Sequence, residues 1–146
     1  MSQPDTFDPM LGHLTWIEED GWWLGHVDLA AGHKIEITVD KWDNEELDLD
    51  ATLAAARVAL GRILADELVI RRAIAVNLHS RFNETWSQGE LLSEEEFIAR
   101  LRLTSAGFQP DGCAVLYYND GRLFAGHLVV VEMSADGSLG RAFLAG

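Results

Sequence analysis

The chain has 146 residues, enough for one domain and too few for two independent cores. Hydrophobic residues make up 48%, which supplies a core without disulfides or a structural metal. Twenty-four acidic residues against 11 basic ones leave a formal net charge of −13, a field that repels phosphate backbones and so argues against nucleic acid, while favouring a basic protein or a cation.

Residues 1–10, with Pro4 and Pro9, read as a mobile tail ahead of a single domain spanning 1–146. Residues 14–17 form a short predicted strand that turns at Glu19-Asp20-Gly21 into a second strand over 22–29. After the turn Ala31-Gly32, Ile35, Ile37 and Val39 alternate with Lys34, Glu36 and Thr38, the period of a half-buried strand. A loop over 40–50 then carries Asp40, Asp43, Glu45, Glu46, Asp48 and Asp50, the last placed to N-cap a helix.

Leu53, Ala56, Leu60 and Leu64 recur at three- and four-residue spacing and predict an amphipathic helix. Ile70, Ile74, Leu78, Phe82 and Trp86 make a second stripe on a different face, so a kink or break is expected at Asp66-Glu67. Ser93 and Glu96 form a capping-box signature for a third helix with Phe97 and Leu101 on its apolar side. Its end is open, because Leu101 and Leu103 also fit an extended pattern running toward Phe108.

The last third reads as strands over 113–118, 123–133 and 141–144, joined by Asn119-Asp120-Gly121 and Asp136-Gly137. Strands, helices, strands is an α+β order. It predicts a largely antiparallel sheet from N- and C-terminal hairpins, two to three helices packed on one face, and no parallel βαβ unit. Residues 20–27 and 120–128 are near-repeats, which we attribute to shared hairpin grammar, since repeat architectures need three or more units.

Four of the five histidines, His13, His26, His33 and His127, follow glycine, which can re-aim a side chain at a sheet rim. His26 and Asp28 share a strand face, and His127 would join them if the two hairpins were neighbours. No His-x-x-x-His or Cys-x-x-Cys pair fixes ligand geometry, so no metal and no cofactor are expected.

Trp22 and Trp23 point to opposite faces of their strand. The outer one is either an interface anchor or covered by the acidic loop bearing Trp42, whereas Trp86 continues a core stripe. The loop carboxylates Asp43, Glu45 and Glu46 suit a basic surface, but the run has no glycine and does not fit a calcium loop. Cys113, the only cysteine, reads as an inert core residue in a strand. The first nine residues lack a secretory pattern and the longest aliphatic run, 128–131, is too short for a membrane span, so a cytoplasmic protein without a membrane partner is expected.

The stretch from Tyr117 through Asp120-Gly121, Phe124-Ala125-Gly126-His127 and Val131, with Asp136-Gly137 and the opening Phe7-Asp8-Pro9-Met10-Leu11-Gly12, resembles the bacterial family numbered 2262 among domains of unknown function. The resemblance spans the chain and carries no catalytic residues. Similar small acidic domains occur among immunity proteins that neutralise bacterial toxins, which implies a protein-binding role by analogy.

The expectation is therefore a non-enzymatic acidic domain, immunity-like or regulatory, binding a basic protein through Trp22, Trp42, Asp43, Glu45 and Glu46. Self-association is compatible with this. The alternative is a small-ligand or metal-dependent protein, a hydrolase included, with a site at His26, Asp28 and His127.

Overall fold

The computed structural model describes residues 3–42 and 48–146. Eight strands form one sheet in the order of the sequence: β1 (Thr6–Asp8), β2 (Gly12–Ile17), β3 (Trp22–Ala30), β4 (His33–Asp40), β5 (Arg102–Phe108), β6 (Ala114–Asn119), β7 (Leu128–Met133) and β8 (Phe143–Ala145). Neighbours are antiparallel with one exception. β4 and β5 run parallel, with Glu36 opposite Ser105 and Thr38 opposite Gly107.

Parallel neighbours cannot be joined by a tight turn and need a crossover. Here the crossover holds α1 (Leu49–Arg81), a π-helical turn (Phe82–Trp86) and α2 (Glu94–Arg100). The expected α+β class and largely antiparallel sheet are both present. The expected absence of a parallel βαβ unit is overturned, because the extended pattern after Leu101 is a full strand that places the helices between β4 and β5.

Alternation along the strands sorts the two faces. Trp23, Ile37, Phe108, Leu116 and Val131 point inward and belong to one core cluster with Leu60, Ile63, Ile74 and Leu78 of α1 and Phe97 of α2. Burying a side chain of that size contributes about 1.5–3 kcal/mol. Helix α1 turns its inner stripe at Leu53, Ala56, Leu60, Ile63, Ile70, Ile74 and Leu78. Leu64, expected inside, is 41% exposed. Repeated steps of four run ahead of the 3.6-residue turn, so the inward position falls at Ile63.

Asp66 has non-helical angles (φ −119°, ψ 23°), the kink expected from the change of stripe. The N-cap of α1 is Asp48, whose Oδ1 accepts from the Ala51 N–H at 3.1 Å, and not Asp50, which lies in the first turn and favours the helix dipole from there. The Ser93–Glu96 capping box of α2 is formed in both directions. Residues 123–127 turn instead of extending, so β7 begins only at Leu128 and the near-repeat with residues 20–27 does not give two similar hairpins.

Within the segment expected as a mobile tail, residues 4–8 are tied down. Trp23 Nε1 donates to the Pro4 carbonyl at 3.0 Å, the Trp16 N–H donates to Asp5 Oδ1 at 3.0 Å, and Thr6–Asp8 pairs with β2. Asp8 is buried and accepts from the N–H groups of Met10 and Leu11, each at 2.9 Å, and from the Arg57 guanidinium. Burial acts to raise its pKa, but these hydrogen bonds and the charge of Arg57 outweigh it and hold the carboxyl below its ordinary value. No helix among the described residues is long and apolar enough to cross a membrane.

Leu60→Ala should lower unfolding stability by about 2–5 kcal/mol, since Leu60 is a fully packed core residue. An unchanged denaturation midpoint would place it on the surface. Because the Asp8 pKa is lower in the folded than in the unfolded chain, its contribution is complete above about pH 4 and is lost as the pH falls through the folded value. Asp8→Asn should destabilise by about 1–3 kcal/mol at neutral pH, with the difference from the parent shrinking in acid. A difference constant from neutral pH to acid would contradict this role.

Candidate functional site

The helices cover one face of the sheet, and the opposite face presents its own ordered set of side chains. Outward positions pair strand to strand: Trp22 with Asp40, Leu24 with Thr38, His26 with Glu36, then Ser105 with Tyr117 and Gly107 with Val115. Val130 continues the row beside Tyr117 and Phe143 beside Val130. None of these outward residues belongs to the core cluster.

A shallow pocket of about 260 Å³ lies over the parallel junction. Trp22 and Tyr117 flank it, and Glu36 and Asp40 give it negative charge. Gly107 makes room for it: a Cβ there would stand 3.1 Å from Thr38 Oγ1, closer than ordinary van der Waals contact. The pocket is smaller than sites that enclose a whole organic ligand. Its chemistry, two aromatic rings beside two carboxylates, suits one cationic side chain.

Of the residues expected at a binding site, Trp22 lines this pocket and Trp42 lies just beyond β4. Trp42 is half-exposed with φ 54°, and its N–H donates to Asp40 Oδ1 at 2.8 Å. Asp43, Glu45 and Glu46 lie outside the described residues.

His26, Asp28 and His127 do not converge. His26 and Asp28 are exposed on β3, while His127 precedes β7, with β4, β5 and β6 between. The His127 ring packs edge-on against Trp86 at 5.7 Å. His26 shares a recess with His13 instead. Among the described residues no group of three His, Cys, Asp or Glu side chains is placed to hold a metal ion.

The glycines before these histidines have local duties. Gly12, Gly32 and Gly126 adopt φ between 76° and 88°, and Gly25 lies where a Cβ would meet Leu14 Cδ2 at 2.7 Å. His33 Nε2 donates to the Leu103 carbonyl at 2.7 Å and so ties β4 to β5. Cys113 sits just before β6 and is half-buried, not in the strand as expected. Burial and the adjacent Asp111 push its thiol pKa up, away from nucleophilic thiolate chemistry.

A second opening crosses the helix-side end of the sheet. One chamber, about 630 Å³, is lined by His33, Glu67, Arg71, Arg100 and Arg102, and the next, about 520 Å³, by Phe82, Trp86, Arg100, Arg122 and Leu123. Arg100 and Gly121 border both, so the chambers are neighbours, and together they are termed the groove. Its turn is held by the buried Asp120, which accepts from the N–H groups of Arg122 at 2.9 Å and Phe124 at 3.0 Å. Sequence reading passed over these arginines because they lie far apart in the chain.

A family model described as an uncharacterized protein conserved in bacteria, DUF2262, matches residues 8–144. The chain belongs to that family. No curated protein and no solved structure matches it. In this DUF2262 chain the segments that carried the resemblance have clear structural work: Asp8 and Asp120 are its buried carboxylates among the described residues, each binding backbone N–H groups of the turn that follows.

Tyr118 of this DUF2262 chain is 0% exposed and its hydroxyl has no hydrogen-bond partner among the described residues. Burial, then the Glu67 carboxylate, drive its pKa upward against the opposing charge of Arg71. A buried unpaired hydroxyl costs about 1–3 kcal/mol, so Tyr118→Phe should leave stability unchanged or raise it by up to that amount. A clear fall in the urea midpoint would show that the hydroxyl holds a partner in solution.

Proposed function

We propose that this DUF2262 protein is a non-enzymatic binding domain that recognises a basic protein through the helix-free face of its sheet. The observation that carries this reading is the pocket over the β4–β5 junction, where Trp22 and Tyr117 flank Glu36 and Asp40. A lysine or arginine of the partner enters it, held by cation–π attraction and by the carboxylates. Leu24, Val115 and Phe143 extend the apolar surface around it, in keeping with an interface that has an apolar centre.

The net charge of −13 adds long-range attraction for such a partner, which raises association rate more than final affinity. The immunity-like role drawn by analogy is one version of this reading, with a toxin as the basic partner. We place the action in the cytoplasm, where a chain with one cysteine loses nothing by the lack of disulfides.

Titration with a lysine- and arginine-rich peptide, followed by amide NMR, tests the surface. Shifts should concentrate at Trp22, Thr38, Gly107 and Tyr117, and should be lost on Glu36→Lys combined with Trp22→Ala. The association rate should fall several-fold from low to physiological salt as steering is screened. Shifts spread evenly over the acidic surface, or unchanged in the double variant, would refute the assignment.

A further inference from the structure

Four of the chain's 11 basic residues, Arg71, Arg100, Arg102 and Arg122, line one groove in a molecule dominated by carboxylates. The acidic groups lining that groove are Glu67, which is occupied by the Arg71 Nε at 2.7 Å, and Glu90. The guanidinium groups of Arg102 and Arg122 form no hydrogen bond or ion pair with another described residue. Such forks suit the two oxygens of a carboxylate or phosphate.

The other chamber differs in kind. Trp86 brings an aromatic ring to it among the polar Gln88, Arg100 and Arg122, and the buried Trp86 Nε1 has no acceptor among the described residues. Irregular backbone gathers around the same groove: the α1 kink at Asp66, the π-helical turn over Phe82–Trp86, and positive φ at Arg122 (71°) and Ala125 (54°). A non-glycine residue rarely adopts that region, and such conformations cluster where a ligand is clamped. The fully buried Tyr118, with its unpaired hydroxyl, lies under the influence of Glu67 and Arg71 on the groove wall.

We infer that this groove is a binding site for a small amphipathic organic anion, its carboxylate or phosphate held by Arg100 and Arg102 and its aromatic or apolar body laid against Trp86. The site is separate from the helix-free sheet face and does not depend on a partner binding there. Arg100, common to both chambers, sets the boundary between the anionic group and the body.

Phenyl phosphate, benzoate, inorganic phosphate and benzyl alcohol serve as probes, titrated into the full chain with the Trp86 indole and arginine Nε–H signals followed by NMR. Phenyl phosphate or benzoate should shift both sets together, at least about tenfold more tightly than inorganic phosphate or benzyl alcohol, because each of the latter lacks half of the contacts. Preference between phenyl phosphate and benzoate identifies the anionic group. Arg100→Ala should weaken binding at least about tenfold, and Arg100→Lys should recover only part of it, because lysine keeps the charge without the fork. Arg102→Gln, at an exposed position, gives the same test if Arg100→Ala fails to fold. Equal binding of all four probes, or shifts that leave Trp86 unmoved or persist in the arginine variants, would overturn the assignment.

Discussion

The parallel pairing of β4 with β5 is the constraint on which the rest of the structure depends. It obliges the chain to return along the sheet before it can pair again, and the returning segment is what covers one face and supplies the other half of the core. A straight helix of 33 residues would run about 50 Å, about twice the length of the eight-residue β4. The kink at Asp66 re-aims the second half so that Ile70, Ile74 and Leu78 stay on the core. With the crossover committed to one side, no helix among the described residues covers the opposite face of the sheet.

That asymmetry also separates the charges. The uncovered face joins Glu36, Asp40 and Glu132 to aromatic and aliphatic residues, whereas the groove beside the kink draws together arginines from α1, α2, β5 and the turn before β7. A chain of net charge −13 thus carries one surface suited to cations and another suited to anions. Both arise at departures from regular structure: the parallel junction with its Gly107 on one side, the kink and the positive-φ turn on the other.

What was legible in the sequence was local. The alternation of Ile35, Ile37 and Val39, the Ser93–Glu96 capping box and the change of stripe at Asp66 rest on neighbours a few residues apart, and all are present. The β4–β5 pairing joins residues some 70 positions apart and has no local signature, which is why the parallel unit was missed. The extended period from Leu101 and Leu103 toward Phe108 was legible, but it follows the helix end so closely that the boundary between helix and strand stayed open. At the candidate surface, Trp22 was visible by its alternation with Trp23, but Gly107, Val115 and Tyr117 meet it only through the register of β5 and β6. The alternative drawn from the glycine–histidine recurrence does not assemble, because glycine serves turns and close packing at those sites.

Cross-strand proton contacts measured by NMR on the full chain test the junction most directly. The expected result is a continuous set of contacts linking Glu36 with Ser105, Ile37 with Ala106 and Thr38 with Gly107, in the slanted pattern of parallel strands. Contacts of an antiparallel pattern between β4 and β5, or none between them, would contradict the architecture and with it the pocket formed over that junction.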